Sequence, residues 1–310
     1  MANLDDNKTK KMYIILGKNG YIAQAIIAEC KKRGLHYLAL SRSDVDYTDF
    51  KEFSNYAHIN YNNHEKPFKD SVIINCAGYI GRPNVDACEK NKGDTIMGNI
   101  VFPTNLANFC TTNYSTLVQI SSGCIYNGYE KHFTEEDEPN FTFDNGSFYS
   151  GTKALCEKMI LKHNPRSYIF RLRIPFDERP SPRNYLTKLL TYDNLIDVEN
   201  SFSHRGDFAQ YCMDLLEQKA PHGIYNITNK GSATTKRVVE LMKRHLKIPN
   251  KQFSFFEDYN SFSSEIVAPR SNCVLDTTKL EKYVKIRSIE DALSDSLSRY
   301  AISETSQSAD

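Results

Sequence analysis

A tyrosine and a lysine four residues apart, in Tyr149-Ser-Gly-Thr-Lys153, follow a serine and a cysteine in Ser121-Ser122-Gly123-Cys124. On a helix that spacing puts Tyr149 and Lys153 on one face. Free tyrosine and lysine titrate near ~10 and ~10.4, and the ammonium favours the tyrosinate, so the pair is expected to draw the Tyr149 pKa toward neutrality. Tyr149 can then act as general acid to a carbonyl oxygen. Ser122, at the end of the strand read in Thr116–Ser121, would hold the same oxygen by hydrogen bond. Cys124 is surplus to such a triad, and a thiol there adds a group able to take a proton from carbon or return it. A tyrosine and lysine at this spacing also occur as an ordinary surface helix turn, so the surrounding elements decide the reading.

Those elements begin with Met12-Tyr-Ile-Ile-Leu16, then Gly17-Lys18-Asn19-Gly20-Tyr21-Ile22-Ala23 and an apolar-periodic helix to about Lys32. Strand, glycine turn and helix make a phosphate cradle: glycine lets the backbone approach, and the helix N-terminus presents N–H groups and a positive dipole end. The spacing is GxxGxxA, which differs from the GxGxxG fingerprint of dinucleotide folds and also suits a plain tight turn. The next strand, His36–Ser41, ends at Arg42 where an acidic residue would bind a free ribose hydroxyl. A guanidinium there suits a 2′-phosphate, favouring NADPH over NADH, while Asp44 and Asp46 keep the other nucleotide open. Strand Ser71–Asn75 runs into Cys76-Ala77-Gly78, small residues that let backbone and cofactor approach. Asn99 is read as a buried polar support or a solvated asparagine.

Short β-rich runs alternate with helix-periodic stretches, which predicts an α/β fold of the Rossmann-like, doubly wound kind, a parallel sheet covered on both faces. Further strands are expected at Ser167–Arg173, Leu195–Val198 and Gly223–Ile227, and helices over 183–191 and 232–246. The cofactor domain is read over 12–174, with strands returning from about 194–230. Residues 175–193 and 231–301 form a smaller, mainly C-terminal substrate lobe over the carboxyl ends of the strands, where such sheets bind ligands. Residues 1–11 and 302–310 are read as disordered tails.

The 310 residues suffice for one large domain with a lobe. A net charge of +1 and a pI near 7.6 exert no global pull toward nucleic acid or anionic membrane. No apolar run reaches the ~20 residues that span a bilayer, so a soluble cytoplasmic protein is expected. The eight cysteines lack CxxC spacing and the eight histidines lack metal-ligand spacing, so neither zinc nor a disulfide framework is indicated. Most of the cysteines read as small buried hydrophobes. His163, His204 and His222 read as solvent-facing or helix-terminal. The oligomeric state stays open, a homodimer included.

Gly78-Tyr-Ile-Gly-Arg-Pro-Asn-Val-Asp86, Ser122-Gly-Cys-Ile125, Pro139-Asn-Phe141, Ser147-Phe-Tyr-Ser150, Pro182-Arg-Asn-Tyr-Leu-Thr-Lys188 and Ile266-Val-Ala-Pro-Arg-Ser-Asn272 carry a family resemblance. From about residue 12 to about 300 the chain resembles the extended short-chain dehydrogenase/reductases of the nucleotide-sugar group. More closely, it resembles the bifunctional UDP-4-keto-6-deoxyglucose 3,5-epimerase/4-reductases of UDP-L-rhamnose synthesis, found as the C-terminal part of plant rhamnose synthases and in a giant-virus counterpart. The resemblance implies Ser122, Tyr149 and Lys153 as a reductase triad and Cys124 with Lys188 as an epimerase acid/base pair. Related GDP-fucose synthases use a histidine at the position of Lys188. Gly151, inside the Tyr–Lys spacing, is expected to need only helix compatibility.

The chemistry agrees with those roles. C3 and C5 flank a C4 ketone, so a proton lost from either leaves an enolate whose charge sits on O4, facing Ser122 and Tyr149. Reduction removes the ketone that acidifies both carbons, so epimerisation must come first. For the substrate diphosphate, Arg270 with Asn272 and Asn184 are expected, Arg82 and Arg183 next, and Asn84 lies in the same motif as Arg82. With one glycine loop present, a separate 4,6-dehydratase is expected upstream. Two alternatives share the fold: a reductase acting on dTDP-4-ketorhamnose, which has no use for Cys124 with Lys188, and a non-catalytic NADP-binding regulatory subunit. The choice between UDP and dTDP stays open.

Overall fold

A computed structural model describes residues 11–59, 70–249 and 251–301. The expected tails lie outside these residues, apart from Lys11. Six parallel strands form the central sheet: β1 (Tyr13–Leu16), β2 (Tyr37–Leu40), β3 (Val72–Asn75), β4 (Thr116–Ser122), β5 (Tyr168–Leu172) and β6 (Gly223–Asn226). Their order is β6-β5-β4-β3-β1-β2, so chain direction across the sheet reverses between β1 and β3. Strands β1 and β3 are buried at every position, as near-continuous apolar runs in a sheet covered on both faces must be.

Helices α1 (Tyr21–Lys32), α2 (Phe50–Ile59), α3 (Phe102–Thr112), α4 (Phe148–His163), α5 (Tyr185–Thr191), α6 (Arg205–Glu217), α7 (Thr235–His245) and α8 (Ile289–Ser298) complete the main framework. Ala23, Ile26, Ile27 and Cys30 of α1 recur at helical spacing and pack with Phe208, Cys212 and Leu215 of α6 on one sheet face. Leu106 and Cys110 of α3 and Cys156 and Ile160 of α4 cover the other face with Phe53 of α2. A separate cluster makes the lobe core, joining Leu186 and Leu189 of α5, Val238 and Met242 of α7, and Leu293 and Leu297 of α8.

The segment read as a central strand at Leu195–Val198 belongs to this lobe instead. Asn194–Leu195 pairs with Ser254–Phe255 in a two-stranded sheet, and the Leu195 side chain is buried in the lobe core. A short apolar run cannot by itself say which core it enters. Only α6 and β6 of the 194–230 stretch return to the main sheet. The helices expected over 183–191 and 232–246 are present, opened by Asn184, whose side chain accepts from Leu186 N, and by Thr234, which accepts from Arg237 N.

One buried ion pair ties together the elements that matter most for the site. Arg171 of β5, 2% exposed, donates to Glu157 of α4 through Nε (3.0 Å) and Nη2 (2.6 Å). Ser121 of β4 donates to the same carboxylate at 2.5 Å, and Arg171 Nη1 donates to the Tyr126 hydroxyl at 3.0 Å. Removing one partner of a buried pair strands the other charge, so Glu157→Ala is expected to destabilise the fold by about 3–5 kcal/mol, measured by urea unfolding.

Candidate active site

The glycine turn fits a dinucleotide. Gly17 sits at φ +84, which L side chains rarely adopt, and a Cβ there would lie 3.1 Å from Ala77 N, so the close approach of the β1 and β3 ends favours glycine. Gly20 is the N-cap of α1 and carries no side chain to bond its first-turn N–H groups, leaving them to face an anion. Cys76, Ala77 and Gly78 follow β3 as expected. A Cβ on Gly78 would stand 3.1 Å from Asn99 Oδ1. Asn99 is the buried support: it accepts from Tyr79 N and donates to Tyr79 O, both at 2.8 Å, and reaches Thr152 on α4.

At the end of β2, Arg42 is exposed and forms no hydrogen bond or ion pair among the described residues. The acidic alternatives are engaged. Asp44 accepts from Ser41 N (2.7 Å) and Oγ (2.6 Å) and pairs with Lys18 at 2.7 Å, which holds its carboxyl well below the usual range. Asp46 accepts from the hydroxyl and amide of Thr48. Asn19 and Ile22 lie in the turn and first helical turn. Tyr21 points into the lobe: its hydroxyl donates to Asp177 Oδ1 at 2.7 Å, Arg205 stacks over its ring at 4.5 Å, and Arg205 Nη1 also binds Asp177 at 2.6 Å.

Ser122 at the end of β4 caps the single turn Gly123–Ile125, accepting from Cys124 N at 3.1 Å. That turn places Cys124 beside Tyr149, which α4 delivers after its own cap, Ser147. The expected lowering of the Tyr149 pKa is not what the structure shows. Burial pushes the phenol well above its ordinary value and the neighbouring Cys124 adds to the rise, with a hydrogen bond from Ser122 opposing it. Lys153 Nζ donates to the Ile120 carbonyl at 3.0 Å. The phenol is thus held as an acid by its surroundings. Gly151 also matters more than expected, because a Cβ there would come 2.4 Å from the Phe143 ring, which lies over the helix.

Lys188 on α5 completes the group. Burial lowers its pKa, followed by the charges of Arg183 and Arg270, while Cys124 opposes the shift, so thiol, lysine and both arginines share one site. Arg183 also acts on Tyr149 and donates to Gly81 O at 3.1 Å. Arg270 Nη1 binds Asp86 at 2.8 Å and Asp86 accepts from Ala268 N at 2.9 Å, joining the GRPNVD and VAPRSN motifs. Arg270 Nε and Nη2 make no bond among the described residues.

Three asparagines have local duties. Asn184 is fully buried and its amide nitrogen donates to Asp177 O and Oδ1 and to Arg179 O, so it is a loop brace and helix cap, not the phosphate donor expected. Asn84 Oδ1 accepts from Asp86 N, and Asn272 Oδ1 accepts from Asn200. Arg82 is exposed.

Sequence reasoning missed Arg173. This arginine follows β5, is 1% exposed, and directs Nη1 to Cys124 Sγ at 3.2 Å. A signal was available: Arg171 and Arg173 are two apart in an otherwise apolar strand, which sets both on one face.

The model of the RmlD substrate binding domain matches residues 11–302. The chain belongs to the RmlD family. Within the family it is 32% identical, over 91% of this chain and 90% of the other, to the Arabidopsis thaliana bifunctional dTDP-4-dehydrorhamnose 3,5-epimerase/dTDP-4-dehydrorhamnose reductase. It is 31% identical over 94% of its length to an Arabidopsis trifunctional UDP-glucose 4,6-dehydratase/UDP-4-keto-6-deoxy-D-glucose 3,5-epimerase/UDP-4-keto-L-rhamnose-reductase, of which it spans 43%. The L780 UDP-rhamnose synthase of Acanthamoeba polyphaga mimivirus superposes with a TM-score of 0.81 at 23% identity, covering 93% of this chain and 99% of that one, and so shares the fold. No helix among the described residues is long and apolar enough to cross a membrane.

Arg42→Ala should weaken NADPH binding by about tenfold through loss of a phosphate-matched guanidinium, with a much smaller change for NADH, read by fluorescence titration of each nucleotide.

Proposed function

We propose that this RmlD-family protein is a bifunctional 3,5-epimerase and NADPH-dependent 4-keto reductase that converts UDP-4-keto-6-deoxy-D-glucose to UDP-L-rhamnose. One observation carries the reading: the turn after β4 sets Cys124 against the reductase serine, with Cys124 N donating to Ser122 Oγ at 3.1 Å, and the buried Lys188 lies near enough to feel the same thiol. A reductase needs Ser122 and Tyr149 but gives Cys124 and Lys188 no task. The full-length likeness to a bifunctional plant enzyme supports both activities in one chain.

Gly17, Gly20 and the start of α1 would hold the cofactor pyrophosphate, and Arg42 its 2′-phosphate. When bound, NADPH supplies hydride to the C4 carbonyl carbon. The protein manages the protons. Ser122 and Tyr149 hydrogen-bond O4 and stabilise the charge that gathers there when C3 or C5 loses a proton. Cys124 and Lys188 exchange protons with those carbons. Tyr149, kept protonated by burial, then gives its proton to O4 in the reduction.

Arg183 and Arg270 add positive charge beside Lys188 and suit the substrate diphosphate, with Arg270 Nε and Nη2 available for it. Asp86 fixes the Arg270 guanidinium in place. The 4-ketone must come from a dehydration at another active site. In the trifunctional Arabidopsis relative a 4,6-dehydratase belongs to the same protein, and here that step would be carried by a 4,6-dehydratase site outside these residues.

Incubation with UDP-4-keto-6-deoxy-D-glucose and NADPH in deuterated water should consume NADPH and yield a rhamnosyl product deuterated at C3 and C5. Cys124→Ala should abolish exchange, and Tyr149→Phe should slow reduction by about 10²–10⁴-fold, the usual worth of a positioned proton donor. NADPH loss without exchange would leave a reductase only. Turnover of the dTDP ketone alone would change the nucleotide.

A further inference from the structure

Arg173 poses a problem that the proposed reactions do not solve by themselves. Its guanidinium is buried, and burying a charge without a counter-ion is costly. Yet among the described residues it meets no carboxylate. Nη1 donates to Ser271 Oγ at 3.0 Å and to Cys124 Sγ at 3.2 Å, while Nη2 donates to Ser271 O at 2.6 Å and to Asn200 Oδ1. Nε has no partner. Arginine cannot shed its proton to escape this. Gly123 is part of the arrangement, since a Cβ there would stand 3.3 Å from Arg173 Cδ and 2.6 Å from Leu275.

Two thiols lie beside the guanidinium, and they are not equivalent. Cys273 is fully buried, directs its Sγ to the Gly123 carbonyl at 3.6 Å, and burial raises its pKa, so it stays a thiol. Cys124 is partly exposed and faces the site. The titratable groups around it are Arg173 from the end of β5, Lys188 from α5, Tyr149 from α4 and Cys273 from the strand Cys273–Leu275. Two of these are cations and two are neutral.

We propose that Arg173 is the positioning residue of the epimerase half-reaction: its buried guanidinium holds the Cys124 sulfur as a proton acceptor, so Cys124 takes the proton from the sugar carbon and Lys188 delivers one to the opposite face. The inference rests on the epimerase reading above. In the step, the C–H bond at C3 or C5 breaks, its electron pair enters the enolate and its proton forms an S–H bond. The enolate pair then returns to carbon as a Lys188 N–H bond breaks and a new C–H bond forms on the other face. Nothing is oxidised or reduced, and passage of the thiol proton to the lysine amine restores the pair.

Alkylation tests this without turnover. Wild-type protein, Arg173→Met, Arg173→Lys and a Cys124→Ser blank are treated with iodoacetamide across a pH series, and modification of the Cys124 peptide is followed by mass spectrometry. Wild-type Cys124 should react faster at mildly acidic pH than a free peptide of the same sequence. Arg173→Met should react about tenfold more slowly at neutral pH, because the thiolate is the nucleophile, with Arg173→Lys between the two. Deuterium exchange should fall with alkylation, and reduction of a pre-epimerised 4-keto sugar should fall much less. Alkylation of a folded Arg173→Met at the wild-type rate overturns the proposal. If Arg173→Met does not fold, a wild-type Cys124 no faster than the free peptide overturns it equally. Exchange that survives Cys124→Ala overturns it too, because the thiol is then not the base, whereas wild-type protein that shows no exchange overturns the epimerase reading itself.

Discussion

The carboxylate of Glu157 is the point on which the site is assembled. Three elements carry the side chains of the proposed site: β4 ends in Ser122 and leads into the turn bearing Cys124, α4 carries Tyr149 and Lys153, and β5 leads into Arg173. Glu157 lies on α4, accepts from Ser121 of β4 and pairs with Arg171 of β5, so all three are fixed by one buried anion. Each of these contacts lies one or two residues from a functional side chain, except along α4, where helical rigidity carries the constraint one turn from Lys153. A well-packed apolar cluster could supply similar stability, but an ion pair with directional hydrogen bonds also sets register.

The order of strands and helices could be read from the sequence because apolar periodicity and glycine placement report local structure directly. The tyrosine, lysine, serine and cysteine were legible for the same reason: their chemistry depends on spacing within one helix or one strand end. What could not be read depends on contacts between distant segments. Asn184 reads from sequence as a free donor, whereas the loop from Asp177 to Arg179 consumes its amide. Leu195 reads as a strand residue in either core, and only packing assigned it to the lobe. Tyr149 was expected to titrate low because Lys153 is close in sequence, whereas burial, which no spacing reveals, acts the other way. Arg173 was hidden because an arginine beside an apolar strand resembles a surface residue until its depth is known.

The two chemistries share more than a substrate. Cys124 raises the cost of ionising Tyr149, and Tyr149 lies among the groups that a charged sulfur must face. A site with its negative charge on sulfur therefore favours a neutral phenol, the form needed to hold a developing enolate and later to donate to the ketone oxygen. Cations at Arg173, Lys188, Arg183 and Arg270 make the surroundings tolerant of that charge.

Asp177 has a wider consequence. Its carboxylate accepts from Tyr21 at the start of α1 and from Asn184, the cap of the helix that bears Lys188, and it pairs with Arg205. The glycine turn and the substrate lobe thus hold a common anion. By thermodynamic reciprocity, any ligand that gains affinity by reorienting Tyr21 must also shift the equilibrium of the lobe helix, and a ligand that orders the helix must return the same free energy to the turn. A nucleotide at the turn and a sugar in the lobe would then couple to the extent that each moves this one carboxylate.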